Sequence, residues 1–176
     1  MKKRRSNFSY RLLSLAMNLR ARSRKPTETL KQLGIKEGQT ILDYGAGPGV
    51  YSVPAAQLVG TSGKVYSADI HPMAKKIVDK EVHKLGLPNI ETLLVNINTG
   101  LENRVIDSIL LFDVLHHISE KSRLMKEFHR ILKIAGRLFI LPDHLSPENT
   151  KQLIKSDGLF IFKQNHDKIL EFQKIG

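Results

Sequence analysis

An acid followed by three glycines at alternate positions, Asp43-Tyr44-Gly45-Ala46-Gly47-Pro48-Gly49, is the stretch where residue type and spacing first point to chemistry. The apolar Ile41 and Leu42 ahead of it suit a buried strand, and the glycines suit a sharp turn beneath a bound ligand. Glycine reaches positive φ, and its missing Cβ lets backbone N–H groups approach that ligand closely. A helix starting near Val50 would aim its N-terminal amides into the same space and favour a carboxylate or phosphate there. A dinucleotide fingerprint, G-x-G-x-x-G, would need its third glycine at Val50, and a phosphate loop, G-x-x-x-x-G-K-[ST], would need its second glycine there too. Both nucleotide readings fail on spacing. Asp43 at the strand end would repel a pyrophosphate but attract an ammonium group.

A ligand with an ammonium, a carboxylate and an adenosine matches S-adenosylmethionine. The D-x-G-x-G-x-G run after a first strand resembles motif I of the class I S-adenosylmethionine-dependent methyltransferases, among them the small type 11/25-like members. The resemblance spans residues 26–176 and implies strand-end ligands. Asp69 then takes the role of a carboxylate accepting both ribose hydroxyls, with Ile70 beside it. Asn96 falls where the family usually has an acid accepting from the adenine amino group, and an amide oxygen can also accept. Ile97 would add a backbone N–H and an apolar wall. The expected cofactor-binding set is Asp43, Tyr44, Gly45, Ala46, Gly47, Gly49, Asp69, Ile70, Asn96, Ile97 and Asp113. The blander alternatives are a glycine turn without a ligand and Asp69 as a helix cap.

The run Phe112-Asp113-Val114-Leu115-His116-His117-Ile118 resembles the segment after strand four in many small-molecule methyltransferases, where it lines the methyl side of the pocket. Asp113, His116 and His117 are therefore the catalytic candidates, one histidine as proton acceptor and the other packed and hydrogen-bonded. The run is not the Asn-Pro-Pro-aromatic motif of enzymes that methylate exocyclic amines. Asp113, His117, Asp143 and His144 stand near the ends of strands four and five, within reach of a divalent cation. The spacing of the magnesium-dependent catechol-type enzymes is not reproduced, so the reading assigns no metal and takes these residues as a polar rim.

The chain of 176 residues, 41% hydrophobic, supports one domain with a single core. It has no cysteine, which excludes a disulfide framework, a thiolate metal site and a cysteine nucleophile. No apolar run approaches the roughly 18 residues of a membrane span. The basic N-terminus makes a poor secretory signal, and the expected location is cytoplasmic. Residues 1–25 hold nine Lys and Arg and no acid. They read as a basic arm whose segment Phe8 to Arg22 is an amphipathic helix, a lid over the pocket or a contact for nucleic acid or a membrane surface.

Beyond the arm, a short helix from Thr27 to Leu33 leads to strands at Thr40–Tyr44, Lys64–Ala68, Ile90–Val95, Val105–Phe112 and Arg137–Leu141. Helices alternate with them at 50–59, from Pro72 to Gly86, 119–132 and 147–155. A hairpin of Leu159–Lys163 and Ile169–Lys174, turning through Gln164 to Asp167, ends the series. This alternation means a doubly wound, Rossmann-like α/β sheet. The resemblance implies seven strands in the order 3-2-1-4-5-7-6 with one antiparallel. The function implied is methyl transfer from S-adenosylmethionine to a small-molecule acceptor, with S-adenosylhomocysteine as product. Two alternatives stay open: an RNA methyltransferase using residues 2–25, and an inactive cofactor-binding protein. A homo-oligomer is also left open.

Overall fold

The computed structural model describes residues 24–142 and 144–176. The expected basic tail and amphipathic helix, and Asp143, lie outside the described residues. From Arg24 onward the chain alternates helix and strand. In order come α1 (Pro26–Gln32), β1 (Thr40–Tyr44), α2 (Ser52–Val59), β2 (Lys64–Asp69), α3 (Pro72–Leu85), β3 (Ile90–Leu94) and β4 (Ile106–Phe112). A 3-10 turn (Leu115–His117), α4 (Lys121–Ile131), β5 (Leu132–Leu141), α5 (Pro147–Lys155), β6 (Phe160–His166) and β7 (Ile169–Lys174) complete it.

The seven strands form one sheet in the order β3-β2-β1-β4-β5-β7-β6. All pairings are parallel except those of β7, which runs antiparallel to both β5 and β6. This is the architecture expected from the sequence. β4 is buried along nearly its whole length, as a central parallel strand covered on both faces must be.

Strand parity divides the core into two layers. Leu42 and Tyr44 of β1 face α4, whose Leu124, Met125, Phe128 and Ile131 recur at helical spacing and are all buried. Ile41 faces the opposite layer, where Leu30 and Leu33 of the α1 region, Ala55, Ala56 and Val59 of α2 and Val78 of α3 close over it. Four phenylalanines, 128, 139, 160 and 172, are fully buried, each contributing about 1.5–3 kcal/mol of transfer free energy. With both faces so packed, the strand ends are where the chain can open toward a ligand.

Most boundaries fall within two residues of expectation, and three of the differences have a visible physical setting. β5 begins at Leu132, directly after α4, rather than at Arg137. Ala135 takes φ +63 there, and a Cβ on Gly136 would lie 2.9 Å from Leu132 Cδ2, so the chain kinks through the residues read as a connection and still pairs. β6 runs on to His166, leaving a tighter turn in which Asp167 adopts φ +52. α2 starts at Ser52, which puts Pro54 in its first turn, where its missing N–H leaves no helical bond unmade.

Candidate active site

The site is built outward from the end of β1. Gly45, Gly47 and Gly49 have φ of +79°, +55° and +80°, all in the left-handed region. The turn is tied to β2: the N–H groups of Gly45 and Ala46 both donate to Ala68 O, at 2.8 and 3.0 Å. It is also packed tightly from the sides. A Cβ on Gly45 would lie 2.8 Å from Val114, and one on Gly49 would lie 2.9 Å from Val78. Glycine at these two places brings the loop after β4 and helix α3 against the turn.

Asp69 ends β2 with its carboxylate fixed on both oxygens. Gly47 N–H donates to Oδ2 at 2.9 Å and His71 N–H to Oδ1 at 2.7 Å. Burial raises its pKa, and these two amides act in the opposite sense. The backbone beyond it is equally well defined. His71 caps α3 by accepting from Met73 N–H through Nδ1 at 3.2 Å, and Pro72 occupies the first helical position. The Ile70 amide adds a third backbone donor to the carboxylate, and its remaining acceptor capacity is available to a ligand. Ile70, next in sequence, is 50% exposed and offers apolar surface beside that acid.

Asp43 stands elsewhere than expected. Its side chain is buried beneath the turn, where Ser52 Oγ donates to Oδ2 at 2.6 Å and itself lies 2.9 Å from Ser67 Oγ. Burial pushes the carboxyl up to about 6, with the Ser52 hydroxyl pulling the other way. At 3% exposure Asp43 anchors the start of α2 and does not present its carboxylate to an entering ammonium group. Tyr44 is likewise turned into the core, its ring edge-on to Phe128 at 5.1 Å. Its phenol is raised to about 12, by burial first and then by Asp69 and Glu127. Ala46 is buried within the turn, so Tyr44 and Ala46 can offer a ligand only backbone groups.

The loop after β3 is held on α4. Thr99 donates its N–H and its hydroxyl to Glu127 Oε1, at 2.9 and 2.6 Å, and Arg130 Nη2 donates to the same oxygen at 2.8 Å. Burial alone would raise the Glu127 pKa, but Arg130 and Thr99 outweigh it and the pKa is lowered. Asn96 is exposed on this loop. The Ile97 side chain packs into the core at 8% exposure. The exposed apolar surface at this edge comes from Ile70 and from Leu94, the β3 partner of Asp69, each 50% exposed.

At the end of β4, Asp113 takes φ +57 and donates its N–H to Leu141 O at 3.1 Å. Its carboxylate is ion-paired with Arg24. The 3-10 turn that follows carries His116, half-buried, and His117, exposed, with ring centroids 3.8 Å apart. His144, from beyond β5, meets His116 edge-on at 4.7 Å. The expected catalytic histidines thus do gather at the rim, with a third imidazole beside them. No group of three or more His, Cys, Asp or Glu side chains suited to a metal ion occurs among the described residues. Arg24, Tyr51 and Ser52 were not singled out by the sequence. Arg24 meets Asp113 across 89 residues, which no local pattern signals.

The fold is shared with known proteins. The model of a family described as a methyltransferase domain matches residues 35–172, and the chain belongs to that family. The ubiquinone/menaquinone biosynthesis C-methyltransferase of Pseudoalteromonas translucida is 30% identical over 123 residues, 66% of this chain and 49% of that protein. The chain spans about half the length of the curated relatives it matches. A crystal structure of a SAM dependent methyltransferase from Aquifex aeolicus superposes at a TM-score of 0.72 with 27% identity, covering 85% of this chain and 88% of that one. A Methanococcus maripaludis protein superposes at 0.80 over 99% of this chain and 96% of its own, at 15% identity, a likeness of fold alone.

Proposed function

We propose that this chain transfers a methyl group from S-adenosylmethionine to a small-molecule acceptor. The observation that carries the reading is Asp69, clamped on both oxygens by amides of the glycine turn and of His71, the cap of α3, with the half-exposed Ile70 beside it. A carboxylate so fixed suits two vicinal ribose hydroxyls, and an adjoining apolar side chain suits a purine face. The cofactor, when bound, supplies a sulfonium methyl already activated for in-line transfer. The chain's own residues then have three tasks. The turn from Gly45 to Gly49 and Asp69 fix the adenosine end, and fixing it provides most of the rate advantage through alignment. The rim of Asp113, His116 and His117 faces the acceptor. A histidine there accepts a proton where the acceptor atom carries one.

The similarity to ubiquinone/menaquinone biosynthesis C-methyltransferases supports carbon as the acceptor atom. No helix among the described residues is long and apolar enough to cross a membrane. The test is to incubate the full chain with methyl-tritiated cofactor and fractionated cell extract, alongside Asp69→Ala. Label is expected in a small-molecule fraction, resistant to ester and ether cleavage, and lost in the variant. Label confined to RNA would transfer the function to the basic residues 2–25. Cofactor binding without label in any fraction would establish an inactive binding protein instead.

A further inference from the structure

The far edge of the sheet carries a second concavity. β6 is the end strand, three places from β4, and α5 runs against it. Glu148, Lys151, Gln152, Lys155 and Ser156 recur at the three- and four-residue spacing of one helix face, and with Phe162 of β6 they line a groove of about 380 Å³. That volume suits a small ligand. Lys151 is placed in advance: its ammonium lies 4.4 Å from the centre of the Phe162 ring and 3.0 Å from Glu148 Oε1. The Phe162 ring is itself fixed edge-on to Phe172 at 5.7 Å. Lys155, one turn further along and exposed, makes no ion pair with a described residue.

We propose that this groove binds a compact aromatic monoanion, such as an aryl carboxylate or sulfonate, at a place separate from the glycine turn. Two lysines against one glutamate leave the lining with a single positive charge, which matches one negative charge and not a polyphosphate. Phe162 and the aliphatic stems of the lysines offer a ring its apolar contact. Lys151 and Lys155 donate to the anion from adjacent turns, with the Gln152 amide as a neutral donor between them. An extended chain is the wrong occupant. β6 is an edge strand, but its pairing with β7 shifts register between Phe162 and Gln164 and gives Lys163 no partner, so the edge is bent and charged where an added strand would have to lie. A second copy of this chain is wrong for a related reason, since its own β6 would bring Lys163 toward Lys151 and Lys155. None of these residues belongs to the glycine turn or the histidine rim, so the groove can be tested whatever the cofactor site binds.

The probe is anilinonaphthalene sulfonate, an aromatic monoanion whose fluorescence rises on leaving water, titrated into the full chain. A saturable rise is expected, reversed by naphthoate in competition and by neither inorganic pyrophosphate nor excess S-adenosylhomocysteine. Lys155→Glu should weaken the probe about fivefold or more, and Glu148→Gln, which takes away the one acid of the groove, should strengthen it about twofold. Both positions are exposed, so far-ultraviolet circular dichroism of the two variants should match that of the unmodified chain. Equal probe affinity in all three proteins would overturn the proposal and place the dye on apolar surface elsewhere. Displacement by S-adenosylhomocysteine would overturn it by putting the dye in the cofactor site, and displacement by pyrophosphate would make the groove a general anion trap. An unmodified chain that gives no saturable rise would end it outright.

Discussion

The two sides of the site are built differently. Around the glycine turn, the contacts that shape the site join β1, α2, β2 and the start of α3: Gly45 and Ala46 to Ala68, Gly47 to Asp69, Ser52 to Asp43. They lie within one βαβ unit and its exit. The opposite rim is assembled from distant pieces. Asp113 is held by Leu141 and paired with Arg24, and His116 lies between its neighbour His117 and the edge-on His144. A side encoded in one short stretch can be read from spacing, whereas a side assembled at long range becomes visible only when the chain has folded.

The sharpest way to break this comparison is Gly47→Val. A β-branched residue at φ +55 is strained, and its side chain would stand where the backbone approaches the ligand. S-adenosylhomocysteine binding should be abolished while circular dichroism still reports the α/β fold. Binding at full strength would mean that the turn does not cradle the ligand, and the proposed division of the site would collapse.

The second test addresses the rim. Replacing both histidines, His116→Asn with His117→Asn, should lower turnover by roughly 10²-fold or more where the acceptor must lose a proton, with S-adenosylhomocysteine affinity within about twofold. A large loss of cofactor affinity instead would show that the two sides are not separable.

The smallest effect is a stability difference inside the first side. The Asp43 carboxyl is raised to about 6 in the folded chain, so the native state holds that proton more tightly than the unfolded state does. Its favourable contribution is complete below about pH 4 and is lost as pH rises to about 6, a change of up to about 3 kcal/mol. Asp43→Asn cannot titrate. In urea unfolding, the wild-type stability should fall relative to the variant between those pH values, and parallel profiles would place Asp43 in a solvated setting. Glu127 and Glu171, both lowered, give slopes of the opposite sign common to the two proteins, while Asp69, also raised and repelling Asp43, shares in the difference.

What the sequence disclosed follows the same division. Strand order, the antiparallel β7 and the role of Asp69 were implied by the family resemblance, and the glycine turn was marked by spacing. Parity alone would have placed Tyr44 on the face of Leu42, in the core against Phe128, because side chains two apart share a face. The early start of β5 was hidden, since Ala135 at φ +63 and Gly136 look like a connection yet lie inside a distorted strand. The burial of Ile97 and the pairing of Arg24 depend on what other segments bring to meet them, and no window of sequence around either residue contains those partners.

The order β5-β7-β6 bears on how the domain is made. β6 leaves the ribosome before β7, but its sheet neighbour is β7, so it has no strand to join until the chain through Lys174 has been synthesised. Until then the edge of β5 is also bare, and Leu170 and Phe172, which fill the core beside it, are missing. The glycine-turn unit can pair β1 with β2 as soon as both have emerged. Nascent chains stalled before residue 169 should therefore hold a partly formed sheet with an open apolar edge, the state most exposed to chaperone capture and aggregation.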